Sequence, residues 1–179
     1  HVFRAGNVYG PDDTTTFYPI FDAILDGKMS YVNKGRALTC PVFIDDLLQA
    51  IYKAFMSRET SGEAFNITSG EKVSWKELCE VCAGALGIPA PRRSFPYPLA
   101  ITVAKSIEAL YKLISSSKGP DLTAYRVKQV AYDYSFSIEK AKSLLSYSPK
   151  VSIREGMKRT AEAYLQNKAE KANGDLEGS

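Results

Sequence analysis

Apolar residues recur at helical spacing in several stretches of the chain, and short extended stretches lie between them. Apolar positions three or four residues apart predict helices over residues 17–25 and 47–55, because this spacing places them on one helix face. A third helix is predicted from 75 to 87, opened by Ser74 and Glu77, which form a capping-box pattern. Four further helices are predicted at 99–114, 122–130, 138–145 and 153–166.

Extended stretches alternate with these helices in the first part of the chain. They are rich in β-branched and aromatic residues and are bounded by Gly or Pro, which predicts strands over 1–9, 30–33, 38–44 and 64–67. Alternation of strands and helices predicts a parallel α/β layer, and the later residues predict a helical lobe. Strands this few in number do not form a stable doubly wound sheet by themselves. The pattern therefore predicts the end of a larger sheet.

Composition narrows the class of protein. Hydrophobic residues make up 45% of the chain and charged residues 24%, which is ordinary for a globular protein. A net charge of +3 without a basic cluster speaks against a nucleic-acid partner. No apolar run reaches the roughly 18 residues that a membrane span needs. Three cysteines predict free thiols and a cytoplasmic location.

Two residue groups could be mistaken for metal or redox sites. Cys79 and Cys82 have the spacing of a redox or zinc pair, but they lie in a helical pattern without a second pair and are predicted to be buried. His1 is the only histidine, so no metal site is predicted. Asp45 or Asp46 is expected to cap the second helix rather than to act as an acid–base pair.

Four stretches carry the pattern of one family, in order and at matching intervals. They are residues 3–11 (FRAGNVYGP), 42–50 (VFIDDLLQA), 62–70 (GEAFNITSG) and 140–156 (KAKSLLSYSPKVSIREG). Together they resemble the extended short-chain dehydrogenases/reductases of the NAD-dependent epimerase/dehydratase superfamily. Residues 120–127 (PDLTAYRV) are further similar to the branch containing the 3β-hydroxysteroid and sterol-4-carboxylate dehydrogenases.

The resemblance implies an α/β fold: the C-terminal part of a Rossmann-type parallel sheet plus a mostly helical substrate-binding lobe over residues 1–166. Residues 167–179, rich in Lys, Glu and Gly, are predicted to be a flexible tail. The family's glycine-rich phosphate loop is absent, and its Tyr-x-x-x-Lys pair is absent from the matching place. Both are expected upstream of His1, on about five βα units. We therefore assign no catalytic residue and expect the chain alone to be inactive.

The resemblance also implies NAD or NADP as cofactor, bound where the first strand ends. Open α/β sheets bind their ligands at the carboxyl ends of their strands. The predicted cofactor-binding residues are Arg4, Ala5, Gly6, Asn7 and Val8. The predicted substrate-binding residues are Asn7, Tyr9, Tyr18, Arg36 and Phe43. The alternative is that Asn7 and Tyr9 stabilise a turn and that Arg36 is a solvated hairpin residue.

Two positions bear on the substrate. Phe43 lies where the steroid-like branch carries an aromatic residue, and Thr39 where nucleotide-sugar enzymes tend to carry Arg. A neutral hydroxyl cannot make the bidentate contact that Arg makes to phosphate. The leading prediction is an NAD(P)-dependent oxidoreductase acting on a secondary alcohol or ketone, sterol-like or otherwise apolar. The alternatives are part of a nucleotide-sugar epimerase/dehydratase and a non-catalytic binding module.

Partners other than the small-molecule substrate follow from two features. The resemblance implies a homodimer formed through helices upstream of this chain. The apolar helix predicted over 99–114 carries Lys105 and Lys112, so packing as a lobe helix and contact with a membrane surface are both open. Residues 91–98, with four aromatic or proline positions in a row, resemble the family's loop over the substrate pocket.

Overall fold

Parallel strand pairs form the sheet part of the chain. The computed structural model describes residues 1–114, 119–120 and 122–177, the last four of these by their backbone only. The strands are β1 (Val2–Ala5), β2 (Asn7–Tyr9), β3 (Tyr31–Val32), β4 (Leu38–Thr39), β5 (Pro41–Phe43), β6 (Ala64–Ile67), β7 (Val73–Ser74) and β8 (Ser94–Phe95). β1 pairs with β6, β2 with β5 and β3 with β8, all in parallel, and β4 pairs antiparallel with β7.

Helices account for most of the remaining described residues. They are α1 (Phe17–Leu25), α2 (Ile44–Met56), α3 (Trp75–Ala85), α4 (Tyr97–Leu113), α5 (Ala124–Ala131), α6 (Glu139–Leu145) and α7 (Ile153–Glu177), with a short 3-10 helix at Asn33–Gly35. The predicted mixed α/β class is therefore confirmed. Residues 115–118 of the expected loop after α4, and Asp121 of the stretch similar to the steroid-acting branch, lie outside the described residues.

The strand predicted over residues 1–9 is two strands that pair with different neighbours. The chain changes partner at Gly6, whose backbone N–H still donates to the Ile67 carbonyl at 3.0 Å. A β-carbon at Gly6 would lie 1.9 Å from the carbonyl oxygen of Cys40. The change of partner therefore depends on glycine, because it alone permits so close an approach of two backbones.

Two apolar clusters support the strands from opposite directions. The larger joins α1, α3 and α7 around the rings of Tyr9, Phe17, Phe21 and Phe43. The smaller packs Val42, Phe65 and Ile67 against α2 and α6, with Ala50, Ala54, Leu145 and Tyr147 among its members. Val42 is fully buried in this second cluster.

The start of α2 differs from the prediction that Asp45 or Asp46 caps it. The helix begins at Ile44 and both aspartates lie in its first turn. The Asp46 carboxylate, 2% exposed, accepts hydrogen bonds from the backbone N–H groups of Lys150 and Val151 at 2.8 and 3.1 Å. Asp46 therefore joins α2 to the segment that enters α7, a role that local spacing does not reveal.

The remaining helix starts follow the sequence closely. Ser74 and Glu77 form both bonds of the predicted capping box on α3. The Ser152 hydroxyl accepts from the Glu155 backbone N–H at 3.2 Å, as expected for a cap on α7. α7 continues to Glu177, where composition predicts a tail from residue 167, and residues 178–179 lie outside the described range.

Cys79 and Cys82 are buried on α3, as predicted from their helical spacing. Burial raises the pKa of the Cys79 thiol to about 12 and that of Cys82 well above its ordinary value. Within the described ranges no cluster of metal-ligating side chains occurs. None of the helices in the same ranges has the length and apolar character needed to cross a bilayer.

Candidate functional site

The 4–8 segment lies at the carboxyl end of β1 and the start of β2. Because β1 and β6 run in parallel, their carboxyl ends lie side by side, and Ile67 is the register partner of Ala5. Ala5, Gly6, Asn7 and Val8 are half-buried, and Arg4 is exposed. The five residues predicted to bind the cofactor thus form one continuous edge of the sheet that is only partly covered by the described chain.

Asn7 is held in place by a hydrogen bond to β4. Its Nδ2 donates to the Thr39 Oγ1 at 3.1 Å, and Thr39 is itself fully buried. The adjoining backbone is fixed as well, because the Ser69 N–H donates to the Pro41 carbonyl at 2.9 Å. With Nδ2 engaged, the side-chain orientation of Asn7 is set, and its Oδ1 is available as an acceptor for a ligand.

Tyr9 and Phe43, both predicted to contact the substrate, lie in the core. They are 1% and 2% exposed, and their ring centroids are 5.5 Å apart in an edge-to-face arrangement. A β-carbon at Gly156 of α7 would lie 2.5 Å from the Tyr9 hydroxyl oxygen and 2.8 Å from the Phe43 ring. Burial also raises the pKa of Tyr9. Both rings are part of the apolar core, and neither has exposed surface that a small molecule could contact.

Tyr18 and Arg36 lie apart from this pair. The Tyr18 ring is 8% exposed, and its hydroxyl oxygen accepts from the Asp12 backbone N–H at 3.0 Å. Tyr18 borders an open groove of about 740 Å³ between α1 and α7. Arg36 is exposed directly after the short 3-10 helix. Of the predicted substrate-binding residues, Asn7 therefore lies within the predicted cofactor-binding segment, whereas Tyr18 borders a separate groove.

A second open groove of about 630 Å³ lies beside the predicted pocket loop. It is bordered by Tyr31, Lys34, Lys76 and Glu80 on one side and by the segment from Pro89 to Ser94 on the other. β8 within that loop is anchored to β3, and the Lys34 N–H donates to the Ser94 hydroxyl at 2.8 Å. The proline-rich loop is thus bonded to β3 and to the short 3-10 helix that follows β3.

Tyr164 and Lys168 have the four-residue spacing of a Tyr-x-x-x-Lys pair, although they do not lie at the place where the family carries it. Lys168 Nζ donates to the Tyr164 hydroxyl at 3.0 Å, and Tyr164 donates to an Asp22 carboxylate oxygen at 2.5 Å. Burial and the bond to Asp22 raise the pKa of Tyr164, so the phenol stays protonated at neutral pH. A catalytic base needs the opposite shift, and this pair instead joins α7 to α1.

Several known proteins are similar to this chain in sequence or in fold. No protein-family profile matches the chain. It is 29% identical over 171 residues to an uncharacterized protein of Escherichia coli, covering 93% of this chain and 50% of that protein. It is 27% identical over 157 residues to a 2-alkyl-3-oxoalkanoate reductase of Shewanella oneidensis (85% and 41% covered). It is 28% identical over 178 residues to a 3β-hydroxysteroid dehydrogenase/decarboxylase of Arabidopsis thaliana (93% and 40% covered).

The curated relatives of this chain include proteins named as an oxoalkanoate reductase and a 3β-hydroxysteroid dehydrogenase/decarboxylase. The resemblance expected from the four motifs is confirmed. The chain spans about half the length, or less, of the curated relatives it matches.

Two solved structures with a bound nicotinamide cofactor share the fold. A UDP-glucuronic acid 4-epimerase of Bacillus cereus in complex with NAD superposes with a TM-score of 0.62 at 20% identity, covering 92% of this chain and 44% of that one. RMD of Pseudomonas aeruginosa complexed with NADPH gives 0.60 at 13% identity, covering 93% and 48%. The predicted Rossmann-type sheet with a helical lobe is the fold of these nucleotide-bound neighbours.

Proposed function

We propose that this chain forms the substrate-binding part of an NAD(P)-dependent oxidoreductase that acts on a secondary alcohol or ketone of sterol-like or other apolar character. The observation that carries the proposal is the half-buried 4–8 segment at the carboxyl ends of parallel strands, with Asn7 oriented by Thr39. Short-chain homologues named as a 3β-hydroxysteroid dehydrogenase and an oxoalkanoate reductase support it.

The residues present fit a nicotinamide at this edge. Residues 5–8 are only half-buried, which leaves part of this segment open to a ligand, and Asn7 Oδ1 can accept a hydrogen bond from an amide. When bound, the cofactor would accept or supply a hydride at the substrate carbon. This chain's own contribution is to close one side of that pocket and orient the substrate. Transfer of the alcohol proton belongs to the Tyr-x-x-x-Lys pair expected upstream.

Thr39 supports an apolar substrate over a nucleotide sugar. Its hydroxyl is buried and already accepts from Asn7, so this position offers no cation to a sugar diphosphate. Arg36 lies three residues away and is exposed, and it could supply that charge instead. Assays of the longer polypeptide with hydroxysteroids and with UDP-sugars separate the two: turnover of a UDP-sugar alone would overturn the sterol-like proposal.

The isolated 179-residue chain should bind NAD or NADP only weakly. The glycine-rich loop that holds the pyrophosphate is not in this sequence, and that loop supplies much of the affinity in Rossmann-type proteins. Titration calorimetry should give no saturation below millimolar nucleotide. Micromolar binding by this chain would contradict the need for an upstream half.

The mass of the native polypeptide tests whether this chain acts by itself, as a non-catalytic module, or as part of a longer enzyme. A mass in the cell near twice 19.7 kDa would allow a direct test for NAD(P)-dependent turnover. A mass near 19.7 kDa would favour a non-catalytic binding module. Size-exclusion chromatography of the longer polypeptide tests the proposed homodimer.

A membrane-surface contact through α4 is part of the proposal, because α4 carries a second apolar stripe that faces solvent. Leu99, Val103, Leu110, Leu113 and Ile114 are 41–82% exposed and fall within one side of the helix, opposite the side that contains buried Ala104. Lys105 and Lys112 lie on the same helix and are exposed. An amphipathic helix of this kind suits an anionic bilayer surface.

Vesicle flotation tests this contact. The chain should float with vesicles of phosphatidylcholine and phosphatidylserine, and a Leu110→Glu/Leu113→Glu variant should float several-fold less. Phe55→Glu, on the exposed face of α2, is the matched control and should float like the wild type. Equal flotation of the wild type and both variants would remove α4 from the proposal.

A further inference from the structure

The 10–16 loop connects the candidate site to α1. It follows Tyr9 directly, and within it Asp12 has a positive φ of 64°, which is uncommon for a residue with a side chain. The Asp13 carboxylate accepts from the Thr16 and Phe17 N–H groups, at the start of the next helix, at 3.0 Å each. The residues 11, 12, 14 and 15 are exposed, so little apolar packing fixes the loop.

Side chains in the middle of α7 supply further contacts to this loop. Asn167 Nδ2 donates to the Asp12 carboxylate at 2.9 Å and to the Tyr18 hydroxyl at 3.2 Å. The same hydroxyl accepts from the Asp12 N–H at 3.0 Å, so three groups close one small hydrogen-bonded ring. One residue of α7 thereby fixes both the unusual backbone of Asp12 and the orientation of Tyr18.

The second contact lies one turn into α1. Asp22 accepts from the Tyr164 hydroxyl at 2.5 Å and from Lys168 Nζ at 3.2 Å. The bond from Tyr164, above all, lowers the pKa of Asp22, so the carboxylate is ionised at neutral pH and the ion pair with Lys168 is present. α7 is therefore bonded to α1 on both sides of the loop's junction with that helix.

We infer that Asn167 is a positioning residue for the 10–16 loop, and that residues 164–168 of α7 hold this loop in the conformation in which it joins β2 to α1. The inference about the loop itself is argued from these contacts, whereas a consequence of it for ligand binding rests on the proposed function. The same contacts keep Tyr18, which borders the groove between α1 and α7, in one orientation.

Hydrogen–deuterium exchange on the full 179-residue chain tests the inference. Asn167→Leu removes the amide at similar volume, and amide exchange in a peptide covering 10–17 should rise about fivefold or more, as expected for the loss of the two hydrogen bonds that the amide donates. Peptides from α3 and β6 should exchange as in the wild type. Lys171→Ala, on the same helix and bordering the same groove, is the matched control and should leave the 10–17 peptide unchanged.

A rescue variant separates positioning from general loss of stability. Asn167→Asp places two carboxylates face to face and should release the loop. The double variant Asp12→Asn/Asn167→Asp reverses donor and acceptor and should restore slow exchange. Unchanged exchange in Asn167→Leu, or no recovery in the double variant, would overturn the inference. Either result leaves the proposed oxidoreductase function standing, because no nucleotide or substrate is used.

Discussion

A Gly6→Ala variant should lose about 3 kcal/mol of stability or more, as expected when overpacking involves backbone rather than a flexible side chain. The new β-carbon would lie 1.9 Å from the Cys40 carbonyl oxygen, so the backbones of residues 6 and 40 would have to separate. That separation would disturb the two strand pairs that meet at Gly6. Urea denaturation followed by circular dichroism measures the loss.

Gly84→Ala is the matched control for this variant. Gly84 lies in α3, where a β-carbon on its backbone would have no neighbouring heavy atom within 4 Å, and its φ is not positive. Alanine should therefore stabilise the helix by up to about 1 kcal/mol. Equal stability of the Gly6→Ala and wild-type chains would show that the strands adjust without loss of stability. The 4–8 segment would then be less rigid than its close contact with the Cys40 carbonyl indicates.

An Asp46→Ala variant should lose about 3 kcal/mol, since two hydrogen bonds to a buried charged acceptor disappear and two backbone N–H groups lose their partner. Those groups, on Lys150 and Val151, immediately precede α7. The entry to α7 should therefore loosen, and the rings of Tyr9 and Phe43 that α7 covers should become less protected. The denaturation midpoint and near-ultraviolet circular dichroism report both effects.

Asp45→Ala is the neighbouring control. The Asp45 side chain is 62% exposed and lies 3.8 Å from Arg159, an ion pair that solvent screens. Its loss should change stability by about 0.5 kcal/mol or less. If Asp45→Ala and Asp46→Ala proved equally mild, Asp46 would not hold the segment before α7 as strongly as its burial indicates.

Local signals predicted the helices well, because their causes lie within a few residues. The capping box of Ser74 and Glu77 and the apolar spacing of 17–25 both specify structure from within one turn or one face. The role of Asp46 could not be predicted in this way, since its partners lie 104 and 105 residues further along the chain. The same holds for Gly6, whose requirement for glycine comes from the Cys40 carbonyl.

For the candidate site, the sequence predicted which segment ends a strand but not the direction of the aromatic side chains. Residues 4–8 form a half-exposed edge, as expected for a strand end. Tyr9 and Phe43 looked equally suited to a ligand, yet they pack beneath Gly156, and nothing near either ring in the sequence points to α7. The Tyr164–Lys168 spacing was visible in the sequence, but only its contact with Asp22 shows that it joins two helices.

The bond between Asn167 and Asp12 spans 155 positions of the chain. A ribosome adds about 5–20 residues per second, so the 10–16 loop would emerge roughly 10–30 s before its partner on α7. Throughout that interval the loop would be open to chaperones and proteases. The contact between the 10–16 loop and α7 therefore forms late in biosynthesis. Its timing is set by the rate of translation rather than by the rate at which strands pair.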